Sequence, residues 1–328
     1  MTSRTHPGTS PRLPLMCTRI LWAGNGLGPV SARTFDFVIP PRPSLWWLPA
    51  GTVARTAAGQ EAWTSRHASA CIRDLGVAWV DGINDAGLAA HLHVFRKGRY
   101  PTPDDRPSVN VTNIVRWLLA TSGSVDEAVH ALATITIDDA FDVNVGIPHI
   151  NFSFALEDSG GDAATIEGID GVLHVNHGPH ARVHSNAPGL DEHLENLAHY
   201  APFGGDLPVP GNVTARDRFV RASYFLHYLP EPADMREAMA SIHQVAQSVA
   251  LPNGAPYPSG DVFPTRWIVG YDLAGRTLYF QPQFQPFLTW LELDHLRDMR
   301  SPMMVDLRGM ELRGDLAPYL MPVDVVPD

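Results

Sequence analysis

Cys17 stands directly behind Met16 and ahead of Thr18, Arg19 and an apolar run, a setting in which a thiol could do chemistry. A cysteine that becomes a first residue carries its own base, because a free α-amino group titrates near pKa ~7.7 to 8.0 and takes the thiol proton around neutral pH. Removing one short leader therefore creates nucleophile and base together. The competing expectation is a small buried hydrophobe at the start of a strand, a common fate of a lone cysteine. Histidines at 174, 177, 180 and 184, with His91 and His93 elsewhere, raise a metal reading. The first four fall on a strand, a turn and the next strand, so their side chains need not converge. Gly24, Gly26 and Gly28 are no dinucleotide fingerprint, since no helical pattern follows them.

The elements that must position Cys17 follow from the punctuation of the chain. Met1 to Leu15, with Pro7, Gly8, Pro11 and Pro14 and no apolar period, reads as a leader that is either cleaved before Cys17 or precedes a true start at Met16. Short β-type runs come next at Thr18 to Ala23, Val30 to Phe37 and Leu45 to Leu48. Val111, Ile114, Val115, Leu118 and Leu119 recur at helical spacing, and Ser124 with Glu127 has the form of a capping box opening a second helix. In the β block that follows, Ile150, Phe152, Phe154 and Leu156 alternate, then come Ala163 to Ile169, Val172 to Val175 and Ala181 to His184. Helical stretches at Arg216 to Tyr228 and Ala233 to Val249 lead to a closing hairpin, Arg266 to Tyr271 and Thr277 to Phe280, turned at Ala274 and Gly275. Strands and helices in groups, rather than in strict alternation, argue for α+β layering.

Composition excludes several classes. The 328 residues carry a formal net charge of −11 and no basic cluster, which argues against a nucleic-acid partner. There is no run of ~18 uncharged apolar residues and no hydrophobic signal core, so neither a membrane span nor a secretory leader is expected, and the simplest location is the cytoplasm. Cys17 and Cys71 are the only cysteines, too few for a disulfide scaffold or a cysteine-based zinc module.

Several blocks together resemble one family. Met16-Cys17-Thr18-Arg19, Ala32-Arg33-Thr34-Phe35-Asp36-Phe37, Asp81-Gly82-Ile83-Asn84-Asp85-Ala86-Gly87-Leu88, His184-Ser185-Asn186-Ala187-Pro188 and Asp217-Arg218-Phe219-Val220-Arg221 fall in the order seen in the choloylglycine hydrolases, the penicillin V acylases and conjugated bile acid hydrolases. The resemblance spans almost all of the chain after the leader. It implies an α+β N-terminal-nucleophile hydrolase, a four-layer αββα sandwich of two antiparallel sheets, formed by residues 17–328 as one domain.

The resemblance also implies roles. Cys17 would attack an amide carbonyl while its own amino group passes the proton to the leaving amine. Arg33 would favour the thiolate, since arginine keeps its charge, and Asp36 would orient the amine by accepting its N–H. The plain alternative for Arg33 and Asp36 is a surface ion pair at a strand end, worth ~0 to 1 kcal/mol. Asn186 would donate to the oxyanion, where losing a donor costs ~2.7 to 4 kcal/mol of barrier; otherwise it belongs to a plain turn before a helix. Arg218 would support the charge network, or be an exposed helical arginine. Val94 stands where bile acid hydrolases carry Asn and penicillin acylases Tyr, so a second oxyanion donor there would be its backbone amide.

The expected activity is hydrolysis of a linear amide between an acyl group and an amine, with no cofactor and no metal. A penicillin V nucleus, an N-acyl homoserine lactone or another N-acyl amine is the expected substrate. A conjugated bile acid, or a non-catalytic relative binding an acyl ligand, is the alternative. Ser44-Leu45-Trp46-Trp47-Leu48-Pro49 looks more like the Gram-negative penicillin acylase branch, which favours acyl-chain substrates. Trp22, Trp46, Trp47 and Phe95 are candidates to line an acyl pocket or simply to fill the core. The family resemblance implies a homo-oligomer, a homotetramer.

Overall fold

Short apolar runs closed by glycine and proline build two large sheets in a computed structural model of the chain, which describes residues 16–38, 40–55, 61–96, 98–140, 151–254, 263–309 and 311–327. The leader and Ile150 lie outside the described residues. The first sheet has seven strands, in the order Val183–His184, Met16–Trp22, Val30–Asp36, Thr265–Asp272, Thr277–Pro282, Thr289–Glu292 and Gly314–Asp315. All its neighbours are antiparallel except the last pair. The second sheet has nine strands, in the order Val172–His177, Ala163–Ile169, Phe152–Glu157, Ala89–Val94, Ala78–Asn84, Ser69–Asp74, Ser44–Leu48, Met303–Asp306 and Met321–Pro322. It is antiparallel throughout.

Helices close both outer faces. On the second sheet, α1 (Ile114–Thr121) packs over the strands Ala78–Asn84 and Ala89–Val94, with α2 (Val125–Leu132) beside it. The Ser124 side chain caps α2 by accepting from the Glu127 N–H at 3.2 Å. Under the first sheet lie α4 (Ala215–His227) and α5 (Met235–Val249), with α3 (Leu190–Leu197) against α4. Met239, Ile242, Val245 and Val249 of α5 are buried on one face, as their spacing requires. The result is the α+β, four-layer αββα arrangement.

One expectation changes, and two groups of elements carried no signal that was read. Ala181 to His184 is a 3₁₀ turn, Pro179–Arg182, before a two-residue strand, because proline at its start presets the turn conformation. The strands Ser69–Asp74, Ala78–Asn84 and Ala89–Val94 were not read, and they are buried almost throughout, polar residues included. The short helix α3 buries only Leu190 and His193 and so has no apolar stripe to read. Among the described residues, no helix is long and apolar enough to cross a membrane.

Between the sheets, Phe35 stacks on Trp267 with ring centroids 3.8 Å apart. Gly82 is required where α1 meets the second sheet: a Cβ there would sit 2.7 Å from Leu119 Cδ1 and 2.8 Å from the Ala70 carbonyl. Gly82→Ala is expected to lower stability by about 1–3 kcal/mol through overpacking, read as a lower midpoint in urea unfolding.

The inter-sheet space also buries charge. Glu167, whose Oε2 accepts from the Leu190 N–H at 3.1 Å, is pushed up to about 7 from 4.5, chiefly by burial. The folded protein then holds a proton between pH 4.5 and 7 that the unfolded chain releases, so this group's contribution is lost as pH rises through that window. Glu167→Gln, which keeps the acceptor, should gain on the wild type from pH 4.5 to 7 and level off above, by about 3 kcal/mol at most. Paired urea melts across pH check this, and a constant difference would refute it.

Candidate active site

Strand alternation sorts the residues around Cys17 onto two faces. Cys17 pairs opposite Phe35, and Arg19 opposite Arg33, on the face turned to the second sheet; Thr18 pairs opposite Thr34 on the face turned to α4 and α5. Arg33 and Asp36 are three positions apart and so point to opposite faces. They form no surface pair. Both are fully buried, and each has different partners.

Arg33 reaches across the inter-sheet space. Its Nη2 donates to Cys17 Sγ at 3.2 Å and to the Leu92 carbonyl at 2.5 Å, while Nη1 donates to Asp81 Oδ2 at 2.6 Å. Asp36, on the helix side, accepts from Thr265 Oγ1 at 2.6 Å and lies 3.9 Å from Arg218 Nη1. Burial raises its carboxyl to about 6, against the pull of Arg218, Thr265 and Arg33. The Cys17 thiol is likewise raised above its ordinary value, first by burial, with Arg33 opposing and Asp36 and Asp81 adding to the rise. Both cysteines are free thiols.

The backbone of Cys17 is held separately. Its N–H, here a peptide nitrogen joined to Met16, donates to Asn186 Oδ1 at 2.5 Å. The Cys17 carbonyl accepts from Arg218 Nη1 at 2.9 Å, and Arg218 also donates to Thr18 Oγ1 and, at 3.0 Å, to Asn186 Oδ1. Arg218 is therefore a buried residue of this cluster, not an exposed helical arginine. Asn186 Nδ2 donates to the Val94 carbonyl at 2.7 Å, leaving its second N–H for another acceptor. The Phe95 N–H bonds the Asn151 carbonyl on one side of its strand, so the N–H and C=O of Val94 point to the other, toward Asn186. The structure thus brings together Cys17, Arg33, Asp36, Val94, Asn186 and Arg218 from the first sheet, the second sheet, α4 and the segment before α3.

A cavity of about 840 Å³ opens beside this cluster, lined among others by Phe95, Arg96, Ile169, Ala187, Pro188 and Arg216. Phe95 follows Val94, and Ala187 and Pro188 follow Asn186, so the cavity wall continues the chain of the site. The three tryptophans lie elsewhere. Trp22, at the far end of its strand, lines a separate groove with Phe203 and Phe219; Trp46 packs edge-on against Trp79; Trp47 lines another cavity with Arg276 and Arg297. His174, His177 and His180 are exposed while His184 is buried, and among the described residues no three His, Cys, Asp or Glu side chains stand together as a metal site.

Residues given no role in this site by the sequence complete the surroundings: Asp81 on Arg33, Thr265 on Asp36, and His91, Glu157 and Arg19 behind Asp81. The signal for them was polar residues on otherwise apolar strands, as in Ala89-Ala90-His91-Leu92-His93-Val94. Which carboxylate meets which cation depends on sheet register.

The model of the linear amide C–N hydrolases, choloylglycine hydrolase family, matches residues 17–305. The chain is 28% identical over 307 residues to a penicillin V acylase of Pectobacterium atrosepticum, covering 85% of this chain and 81% of that protein. It is 23% identical over 238 residues to a bile salt hydrolase/transferase of Bifidobacterium longum, covering 66% and 71%. A solved penicillin V acylase from Agrobacterium tumefaciens superposes with a TM-score of 0.83 at 27% identity, covering 94% of this chain and 98% of that one. A variant of conjugated bile acid hydrolase from Clostridium perfringens shares the fold with a TM-score of 0.75 at 18% identity, covering 88% and 97%. With its sheets in the N-terminal-nucleophile hydrolase arrangement of these neighbours, this chain belongs to the choloylglycine hydrolase family of linear amide C–N hydrolases, enzymes that hydrolyse carbon–nitrogen bonds.

Proposed function

We propose that this enzyme is a cysteine N-terminal-nucleophile acylase of the penicillin V acylase or N-acyl homoserine lactone acylase type, working once Cys17 is the first residue. The observation that carries the reading is the placement of the Cys17 sulfur 3.2 Å from Arg33 while Asn186 bridges the Cys17 nitrogen and the Val94 carbonyl. Support for the leader's removal is that the family match begins at residue 17. Cleavage after Met16 turns the peptide nitrogen into an amine already held by Asn186 Oδ1.

The chemistry then follows from the parts. Burial keeps the resting thiol protonated, so attack needs a base, and the α-amine of the same residue supplies it. As the sulfur adds to the amide carbonyl, the second Asn186 N–H and the Val94 N–H receive the oxyanion. The amine passes its proton to the leaving nitrogen, the C–N bond breaks, and a thioester remains. Water, deprotonated by the same amine, hydrolyses the thioester and restores the thiol. Asp36 and Arg218 hold the backbone and charge around the amine rather than reacting.

Acyl selection falls to the cavity wall formed by Phe95, Ile169 and Pro188. The longer and more similar match to the penicillin V acylase than to the bile salt hydrolase supports an acyl-chain substrate.

Purified protein is expected to show a mass beginning at Cys17 and to release amine from at least one of penicillin V, an N-acyl homoserine lactone or another N-acyl amine. Cys17→Ala should abolish release and Cys17→Ser should lower it strongly. Near-normal turnover by Cys17→Ala, or an active form with Cys17 still peptide-blocked, would falsify the mechanism. Asn186→Ala should lower kcat by about 10²–10³-fold, and a change confined to KM would remove Asn186 from the oxyanion site.

A further inference from the structure

The charges around Cys17 continue past Arg33 into the protein. Asp81, which holds Arg33 Nη1 with Oδ2, places Oδ1 2.7 Å from His91 Nδ1. The other ring nitrogen lies 2.8 Å from Glu157 Oε1, and Glu157 Oε2 lies 3.2 Å from Arg19 Nε. The side chains of Arg33, Asp81, His91, Glu157 and Arg19 are all fully buried. They alternate cation, anion, ring, anion, cation across both sheets.

The ring's proton count follows from geometry. A neutral imidazole has one N–H, so one of the two short contacts would set a lone pair against a carboxylate oxygen. An imidazolium donates to both. The remaining groups facing the ring bring no competing charge: Tyr271 of the first sheet meets it at 5.4 Å with its phenol raised, chiefly by burial, and His93 on its own strand meets it at 6.4 Å with its imidazole lowered, chiefly by burial. Burial opposes a charge on His91, yet Glu157 and Asp81 raise it above the ordinary histidine value.

Asp81 is the hinge between this ring and the site. Asp81 and His91 are direct cross-strand partners, so their contact is built into the register. A carboxylate held at one oxygen can still turn about its own axis; one held at both cannot. Arg33 is a rigid fork, and with Nη1 fixed by Asp81 its Nη2 can only point at the Cys17 sulfur and the Leu92 carbonyl. We propose that His91 is a positioning residue, a charged clasp that fixes Asp81 and through it holds Arg33 against the Cys17 sulfur. The assignment rests on Cys17 as the nucleophile. With His91 protonated the chain of five carries three cations and two anions, and the surplus positive charge stands on the thiolate's side of the ledger.

The test reads the Cys17 thiolate without a substrate, as ultraviolet thiolate absorbance against pH in the mature protein, each curve taken as the difference from its Cys17→Ala counterpart. His91→Gln should move the inflection up by about one pH unit, the smaller end of a neighbouring-charge effect. Where the amide reaction is measurable, kcat near neutral pH should fall about tenfold, the change in thiolate fraction for one unit, with KM little changed. Glu157→Gln leaves the His91–Asp81 contact in place and should move the inflection less. Coincident curves for wild type and His91→Gln, or equal shifts in both variants, overturn the clasp. So does loss of cooperative melting in both His91→Gln and His91→Asn, which would make the residue purely structural. A shifted curve in a protein that hydrolyses no N-acyl amine would uphold the clasp and refute the acylase reading; hydrolysis with no shift would do the reverse.

Discussion

The guanidinium of Arg33 is the contact on which the geometry around Cys17 depends. It is a full charge between two sheets, out of reach of water, and such a charge costs several kcal/mol unless its hydrogen bonds are met. Asp81, the Leu92 carbonyl and the Cys17 sulfur take up its two Nη groups, and the Phe35 ring lies 4.7 Å away, so partners come from both sheets at once. Stripping a partner from a buried pair typically costs about 3–5 kcal/mol, because the charge left behind has nowhere to go. The sheets are thereby held in the one alignment that sets the thiol against a cation. Stability and reactivity share this contact.

Cys17 is handled from two directions because a strand presents alternate residues to opposite faces. Its sulfur belongs to the inter-sheet space, with Arg33. Its nitrogen and carbonyl are governed from the helix side by Asn186 and Arg218, and Asp36 lies on that same side. The division has a chemical use. A cation near the sulfur helps the thiolate once formed, while burial disfavours it at rest, and here burial wins. A thiol that rests protonated needs a base within reach, and the carboxylates of Asp36 and Asp81 are each already held by a partner. In the mechanism proposed above, the amine of a processed Cys17 is that base, arriving with the sulfur already positioned.

Much of this was legible in the sequence, and the limits have physical causes. The strands on either side of Gly24 to Gly28, the Ser124 cap, the apolar stripe of α5 and the closing hairpin were readable because each is a local pattern. Cys17, Arg33, Asp36, Asn186 and Arg218 were nominated by resemblance, and the structure gathers them, but their pairing was not readable. Arg33 and Asp36 looked like partners because they are neighbours in sequence; three residues along a strand puts them on opposite faces. The strands through Asp81 and His91 are buried on both faces, so polar residues that look solvent-facing in sequence lie inside. The tryptophans misled for a related reason: a large aromatic near the nucleophile in sequence, such as Trp22, ends up a strand's length away in space.

At Val94 it is the backbone, not the side chain, that meets the site. Because the Phe95 N–H is committed to Asn151, the peptide groups of Val94 face Asn186 whatever its side chain is. A donor supplied by the backbone persists through any substitution that keeps the strand. The side chain of Val94 is itself buried and takes no part in those bonds. The cavity beside it carries both signs of charge, with Arg96 and Arg216 among Asp170 and Glu192. In the acylase proposed above, Phe95, Ile169 and Pro188 would meet the apolar acyl group and the charged side chains the polar end of the amide.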